Sequence, residues 1–175
     1  MINIINDNLA KLKKLKIENP ELDLRILLKE ASLKDKDIVL SNLNVEEIDI
    51  EYFNSLVLKR LNFEPISKII NKKFFWKSEF FVNSDVLDPR PETELIIEEV
   101  LSNIKKKDRN FKILDIGTGC GCLAISLAKE LKNSNITAID ISEKAINVAK
   151  KNVNQHNVEK QVNVINLNLE NIKTK

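Results

Sequence analysis

Apolar residues recur every three or four positions through the first third of the chain, up to about residue 62. This spacing predicts amphipathic helices, with a break at Asn19-Pro20 and a short separate piece at 37–41. Together they predict a small helical bundle, whose role is to dock a partner, to cover a site or only to pack. The residues expected to face inward are Ile5, Leu9, Leu12 and Leu15 in the first helix, Leu22, Ile26, Leu27 and Ala31 in the second, and Ile48, Tyr52, Leu56 and Leu61 in the third.

The helical pattern ends at Glu64-Pro65, and two aromatic runs follow it. Phe74-Phe75-Trp76 and Phe80-Phe81-Val82 flank the polar residues Lys77-Ser78-Glu79. Aromatic runs around a short polar loop predict a β-hairpin. We interpret the aromatic cluster as part of a core rather than as a cofactor-contacting set, because large aromatic rings contribute most through burial.

A rigid segment then leads into another predicted helix. Prolines on both sides of Arg90, in Asp88-Pro89-Arg90-Pro91, fix an extended backbone that presents the arginine in one direction. Thr93 and Glu94 stand at the start of the helix, where hydroxyls and acids are favoured as capping groups. These two residues therefore have a structural explanation.

The stretch from Phe111 to Asp140 predicts one βαβ unit. An apolar run at 111–116 has the length of a buried parallel strand, and a second strand at 135–139 ends in Asp140. A strand, glycine turn, helix, strand and terminal acid in this order are typical of a nucleotide-type cofactor site. The helix between the strands is expected to turn inward Leu123, Leu127, Ala128 and Leu131.

All three glycines of the protein lie in the turn of this unit, at Gly117, Gly119 and Gly121. Glycine adopts positive φ and lets a ligand approach the backbone, and the free N–H groups of such a turn suit an anionic group. Asp140 lies 19 positions after Gly121, where units of this kind hold ribose hydroxyls with a carboxylate. Cys122 stands where the NAD fingerprint requires glycine or alanine, which weakens a dinucleotide interpretation.

Beyond Asp140 the pattern predicts a further helix and a third strand. Ser142 is the expected N-cap of the helix, and 161–167 alternates as a strand does. His156, the only histidine, has no acid or second ligand residue near it in the sequence, so we interpret it as a surface or capping residue. The inward residues of the helix are expected to be Ala145, Ala149 and Val153.

The composition is that of a globular protein, with 43% hydrophobic and 31% charged residues and a formal net charge of +2. Lysines alternate with acids, so the charge gives no indication of nucleic-acid binding. No apolar run has membrane-spanning length, and the first residues lack a signal-peptide core. Cys120 and Cys122 are too close for an ordinary disulfide and are expected to pack as small side chains, as in a reduced, cytoplasmic protein.

Three stretches resemble the PrmC/HemK family, the protein-(glutamine-N(5)) methyltransferases that modify peptide chain release factors. Residues 64–76 are similar to the family's segment before its hairpin. Residues 86–94 nearly match its signature linker, with Asp88 where an apolar residue is usual. Residues 113–121, which end in Gly-Thr-Gly-Cys-Gly, match its cofactor motif. The linker is the most specific of the three.

The resemblance implies a helical domain at 1–62 that binds release factors, a β-hairpin and linker at 63–90, and a partial methyltransferase domain at 91–175. The last would be a Rossmann-like α/β lobe of the class I S-adenosylmethionine-dependent type. Its glycine loop would wrap the methionine part of S-adenosyl-L-methionine, its acid would hold the ribose, and a leucine would flank the adenine. Release factors are the implied partners, with neither nucleic acid nor membrane bound directly. The implied cofactor-binding residues are Gly117, Thr118, Gly119, Cys120, Gly121, Asp140 and Leu169.

Besides Asp88, the sequence departs from this family at two further places. Asn168 replaces a residue that is usually acidic, and no proline follows Pro91, so the family's Asn-Pro-Pro-Tyr acceptor motif is absent from the 175 residues. The sequence therefore indicates a family member truncated after its third strand, inactive as it stands, with no assignable catalytic residue. The alternatives are a nucleic-acid base amino-methyltransferase of the same fold, a non-catalytic partner-binding fragment and, more distantly, an NAD-dependent enzyme.

Overall fold

A computed structural model describes residues 2–33 and 47–171, so the piece expected at 37–41 lies outside the described residues. The chain divides into two compact units, Met1–Ile70 and Asn71–Lys175. The first contains the helices α1 (Ile2–Lys14), α2 (Pro20–Glu30), α3 (Ile50–Leu61) and α4 (Ile66–Ile70). The second contains β1 (Lys72–Phe75), β2 (Ser78–Phe81), α5 (Pro91–Asn103), β3 (Lys112–Ile116), α6 (Cys122–Glu130), β4 (Asn135–Asp140), α7 (Glu143–Gln155), β5 (Val162–Asn166) and a 3-10 turn at Leu169–Asn171.

The helices predicted in the first unit are confirmed, but one predicted inward residue on each of α2 and α3 is exposed. In α2, Leu22 is 53% exposed. The buried face follows the helical spacing from Leu24 to Ala31, so Leu24 and Leu28 lie in the core beside the predicted Leu27 and Ala31. In α3, Tyr52 is 43% exposed, and the next residue, Phe53, is fully buried instead. The core-facing residues of these two helices are Leu24, Leu27, Leu28, Ala31, Phe53, Leu56 and Val57.

Near the end of α1, Leu15 was also predicted to face inward and does not. The helix ends at Lys14, and Lys16 has a φ of +56°, so the chain reverses before a further helical turn can form. Leu15 is 38% exposed as a result, and Ile17 fills the core position. A polar interaction also joins α3 to α2, because Arg60 donates from Nε to the carboxylate of Asp23 at 2.6 Å.

The predicted β-hairpin is confirmed, but its turn is shorter than expected. Strands β1 and β2 are antiparallel with Phe75 opposite Ser78, so Trp76 and Lys77 form a two-residue turn and Ser78 begins the second strand. Trp76 has a φ of +55° there. Ser78 was assigned to the loop because it is polar, yet its side chain is buried and accepts a hydrogen bond from Lys129 at 2.7 Å.

Strands β3, β4 and β5 form a parallel sheet in that order, as the βαβ pattern predicted. Helices α6 and α7 cover one face of it, and their predicted inward residues are buried, except that Leu123 is only half-buried. On this face the sheet contributes a row of apolar side chains at alternate positions, the period expected of a strand. These are Ile113, Ile136, Ala138, Val162 and Val164.

The first strand of the sheet is less buried than its apolar sequence predicted. Leu114 and Ile116, which alternate with the covered residues, are 51% and 53% exposed. Among the described residues β3 pairs only with β4, so its other edge carries no partner strand. An apolar strand with an unpaired edge can pair with another strand. No helix in the described ranges combines the length and the apolar character that crossing a bilayer requires.

Candidate cofactor-binding site

The loop between β3 and α6 is held at the carboxyl end of the sheet by backbone hydrogen bonds. The N–H groups of Gly117 and Thr118 both donate to the carbonyl of Ile139, at 2.9 and 3.0 Å. The three glycines have φ values of +75°, +56° and +83°, which side-chain-bearing residues adopt only with strain. The positive φ values explain why glycines stand at these three positions. The hydrogen bonds to Ile139 place the loop at the carboxyl ends of the strands, where ligands bind in open α/β sheets.

Thr118 turns away from solvent toward the strand that precedes it. Its hydroxyl donates to a carboxylate oxygen of Asp115 at 2.6 Å, and its side chain is buried. Burial of Asp115 raises the pKa of this carboxyl above its usual range, against the lowering effect of the Thr118 hydrogen bond. The Thr118 hydroxyl therefore anchors the loop to Asp115 in β3, and the Thr118 side chain does not project into solvent.

Asp140, at the end of β4, organises the same loop from the other side. One carboxylate oxygen accepts the N–H of Gly119 and the other accepts the N–H of Ser142, each at 2.9 Å. Each oxygen of an ionised carboxylate has a second acceptor position, so the group is still able to take hydroxyl donors. Ser142 also caps α7 as predicted, because its Oγ accepts the N–H of Ala145 at 3.2 Å.

Two cavities lie over this loop and share Ile116 and Gly117. One has a volume of about 290 Å³ and extends to residues 87–90; the other has a volume of about 230 Å³ and extends to 167–169. A Cβ added at Gly117 or Gly119 would meet no atom within 4 Å. The loop thus faces open space, with Asp88 and Arg90 lining the larger cavity and Asp140 lining the smaller one together with aliphatic side chains.

The apolar end of this space is formed by side chains that project outward. Ile141 is 70% exposed and Leu169 is 54% exposed, and both line the smaller cavity beside Asp140. Asn168 lines it as well, and its Oδ1 accepts the N–H of Glu170 at 3.0 Å. A flat ring between two exposed aliphatic side chains would remove both from water, which is a favourable arrangement.

Arg90 in the rigid segment and Thr93 in the first turn of α5 line the larger cavity, and Arg90 is exposed. Glu94 is different: its carboxylate accepts the backbone N–H of Trp76 at 2.7 Å. Thr93 and Glu94 were predicted to cap the helix, but α5 has no side-chain hydrogen bond at its N-cap, and Glu94 instead secures the turn of the hairpin. The indole N–H of Trp76 donates to Glu130 at 2.9 Å, which adds a second tie at the same turn.

Asn152 on α7 was missed by sequence reasoning, although it is completely buried. Its side-chain amide contacts the backbone of Phe81 in the hairpin and the carbonyl of Cys120 in the glycine loop. A usable indication was present: an asparagine lies three positions after Ala149, on the face that the helix turns inward. A polar residue on a buried face needs partners nearby.

The cysteines and the histidine have structural roles. Cys120 and Cys122 are both buried and free of disulfides, as expected. The neighbouring Cys120 and burial together raise the pKa of the Cys122 thiol far above its usual range, which makes it unreactive. His156 follows α7 and packs against Phe80 with ring centroids 4.8 Å apart, and burial lowers its pKa.

Comparison with protein families gives two matches along the chain. Residues 4–70 match the PrmC N-terminal domain, and residues 90–175 match the family described as ribosomal protein L11 methyltransferase (PrmA). The first match falls within the first unit and the second within the second unit.

Several curated proteins are similar over most of the chain. A bifunctional methyltransferase from Rickettsia typhi is 40% identical over 94% of this chain and 36% of its own length. Release factor glutamine methyltransferases from Flavobacterium psychrophilum and Buchnera aphidicola (subspecies Baizongia pistaciae) are 44% and 40% identical, over 69% and 81% of this chain and 43% and 51% of their own lengths. The chain thus spans between about a third and a half of these relatives. Among solved structures, a putative S-adenosylmethionine-dependent methyltransferase from Methanococcus maripaludis aligns over 45% of this chain and 34% of its own, with a TM-score of 0.40 and 28% identity.

Proposed function

Because the chain belongs to the PrmC/HemK methyltransferase family, we propose that it serves the methylation of a glutamine side-chain amide in peptide chain release factors. The match to a methyltransferase family and the strand order β3-β4-β5 support the predicted class I methyltransferase fold. They also support its predicted cofactor, S-adenosylmethionine. The proposal rests chiefly on one observation: a PrmC N-terminal domain and a glycine-loop βαβ unit occur in the same chain. The acceptor we propose is the glutamine of the Gly-Gly-Gln motif.

The lining of the two cavities supports S-adenosylmethionine as the ligand. When bound, S-adenosylmethionine supplies an electrophilic methyl group on its sulfonium. Residues 117–120 of the loop would lie against the methionine part, since they line the larger cavity. Gly121 packs against Ile125 and Ala149 and would shape the loop. Asp140 would accept hydrogen bonds from ribose hydroxyls. Leu169, together with Ile141, would enclose the adenine.

The acceptor end is a separate matter. An amide nitrogen is a weak nucleophile, so catalysis would depend on orienting it toward the methyl group and on excluding water. The 175 residues contain no Asn-Pro-Pro-Tyr sequence, and we assign no catalytic residue among them. We therefore propose that this chain alone binds cofactor but transfers no methyl group. The first unit would supply the contact with the release factor.

A chimera tests the proposal while supplying the acceptor motif. Residues 1–175 would be joined to the part of the Flavobacterium psychrophilum relative that lies beyond its matched segment, and incubated with labelled S-adenosylmethionine. We expect label on an unmodified release factor, none on a release factor whose Gly-Gly-Gln glutamine is alanine, and none from the 175 residues alone. The same chimera with Asp140→Ala is the matched control for cofactor binding.

The other acceptors are separate arms of this experiment. The match to the L11 methyltransferase family makes ribosomal protein L11 the second candidate acceptor, and a duplex or single-stranded nucleic acid is the third. Label on either of these, with none on the release factor, would replace the proposed acceptor. Label transferred to the release factor by residues 1–175 alone would mean that acceptor chemistry resides in this chain, with Arg90 and Thr93 the first residues to test.

A further inference from the structure

We propose that Asn152 is a positioning residue for the cofactor loop, and that it couples the aromatic hairpin to cofactor affinity. The inference rests on the cofactor site proposed above. Asn152 lies in the third turn of α7 and is 0% exposed. One of its amide hydrogens reaches the hairpin and the other reaches the glycine loop, so a single side chain connects two segments far apart in sequence.

On the hairpin side, Asn152 binds both backbone groups of one residue. Its Oδ1 accepts the N–H of Phe81 at 2.8 Å, and its Nδ2 donates to the carbonyl of Phe81 at 2.9 Å. The amide thereby takes the place that a neighbouring strand would have beside β2. The orientation of the amide is fixed by this pair, since the N–H requires the oxygen and the carbonyl requires the nitrogen.

On the loop side, the second hydrogen of Nδ2 donates to the carbonyl of Cys120 at 2.8 Å. Cys120 lies between Gly119, whose N–H is held by Asp140, and Gly121, whose N–H is held by Thr118. A shift of the Cys120 carbonyl would move the peptides that define the loop and its contact with Asp140. Asn152 therefore positions the loop through the carbonyl of Cys120, and it does not itself line the larger cavity.

The required chemistry is specific to asparagine at this place. Aspartate has the same shape but no donor, so an ionised carboxylate would face the carbonyl oxygens of Phe81 and Cys120. Alanine would leave three backbone groups without this partner, the buried carbonyl of Cys120 and the partly buried N–H and carbonyl of Phe81, which is costly. Protonated aspartate would recover one donor, so the effect of Asn152→Asp should depend on pH.

Lys151 provides a matched control because it touches the same hairpin residue but not the loop. Its Nζ lies 3.2 Å from the centroid of the Phe81 ring, and the side chain is otherwise exposed. Calorimetric titration of the 175-residue chain with S-adenosylmethionine would compare wild type, Asn152→Ala, Asn152→Asp and Lys151→Ala. We expect the Kd to rise about tenfold or more in both Asn152 variants, given the hydrogen bonds lost, and to change less than about twofold in Lys151→Ala.

A pH series tests whether the loop requires a hydrogen-bond donor at position 152. The Kd of Asn152→Asp should fall toward the wild-type value as the solution is acidified, relative to the change seen in wild type. Equal cofactor affinity in wild type and in the Asn152 variants that fold would overturn the inference. Absence of binding to wild type would instead overturn the proposed cofactor site.

A measurement on the wild type alone covers the case in which neither Asn152 variant folds. If loop and hairpin are coupled through Asn152, binding at one must stabilise the other. Saturating S-adenosylmethionine should slow hydrogen exchange of the Phe81 amide about threefold or more, while the amide of Asn103, at the far end of α5, should change less. Unaltered exchange at Phe81 on a chain that binds the cofactor would also overturn the inference.

Discussion

The carboxylate of Asp140 accepts the backbone N–H of Gly119 across the carboxyl end of the sheet, with 2.9 Å between Oδ2 and the nitrogen. The contact joins the end of β4 to the middle of the loop that follows β3. It orders the loop without a ligand, so less conformational freedom is lost when a ligand binds. The acid thereby serves the site in two ways, as a brace for the loop and as a hydrogen-bond acceptor.

Replacing Asp140 should weaken cofactor binding more than it weakens the fold. Asp140→Ala removes both the brace and the acceptor for ribose hydroxyls, so we expect the Kd for S-adenosylmethionine to rise about tenfold or more. Calorimetry would measure this, with Glu143→Gln, an exposed acid in the first turn of α7, as the control. Tighter binding of NAD than of S-adenosylmethionine by the wild type would contradict the cofactor assignment.

Alanine at two of the loop glycines should have different consequences. At Gly119 the added Cβ would meet no protein atom within 4 Å but would enter the cavity, so the cofactor Kd should rise about tenfold, with a loss of stability of about 1–2 kcal/mol from the positive φ. At Gly121 it would lie 3.2 Å from Ile125 Cδ1 and 3.4 Å from Ala149 Cβ, so the loss should reach about 2–3 kcal/mol.

Urea unfolding and calorimetry on both glycine variants would check this contrast. Each variant is the control for the other, since both carry one added methyl group at a left-handed position. Equal losses of stability in the two variants would show that Ile125 and Ala149 accommodate the added methyl group at Gly121 without a further loss of stability. Unchanged affinity in Gly119→Ala would show that the cofactor does not approach this part of the loop.

His156 should make the second unit less stable in mild acid. Burial, with the charge of Lys129 as a smaller cause, lowers the folded-state pKa of His156 below its usual 6.5. The unfolded state therefore binds a proton first, and stability should fall as the pH drops through 6.5 toward the folded-state pKa. His156→Phe keeps a ring against Phe80 and removes the titration. Thermal unfolding between about pH 5 and 8 should be flatter in this variant. An identical slope in both proteins would assign the pH dependence to other groups.

The first unit should bind a release factor without the second. Residues 1–70 match the PrmC N-terminal domain almost throughout and have a core of their own. A pull-down with immobilised residues 1–70 should enrich the release factor over an unrelated protein. Leu27→Asp, which places a charge in that core, should abolish the capture along with the fold. Equal recovery by both forms would identify the capture as nonspecific.

The cofactor loop and the order of the sheet were predictable because their determinants are local. The glycine turn and the Ser142 cap are specified within a few residues of their own position, and Asp140 reaches Gly119, 21 positions away, inside the same βαβ unit. Helix faces were harder to place. Leu22 and Tyr52 fit an inward stripe as well as their neighbours do, and only the shape of the packed bundle selects Phe53 over Tyr52.

The least predictable features are contacts between segments far apart in sequence. Glu94 has the residue type and position of a helix cap, and its bond to Trp76 depends on where the hairpin lies. Asn152 is bonded to Phe81, 71 positions away, and no local pattern in α7 specifies that partner. Such residues are identified as polar on an apolar face, but their partners follow only from the fold.

The hairpin turn at Trp76 has a practical optical consequence. The protein has one tryptophan and one tyrosine, and the boundary between the units separates Tyr52 from Trp76. Light at the long-wavelength edge of the aromatic absorption excites only the indole of Trp76. Because Trp76 lies in the hairpin turn and its N–H donates to Glu130, its emission reports on the hairpin. Tyrosine absorbance at Tyr52 reports on α3. Each unit thus carries its own chromophore, and an unlabelled chain would reveal whether the two units melt together or in succession.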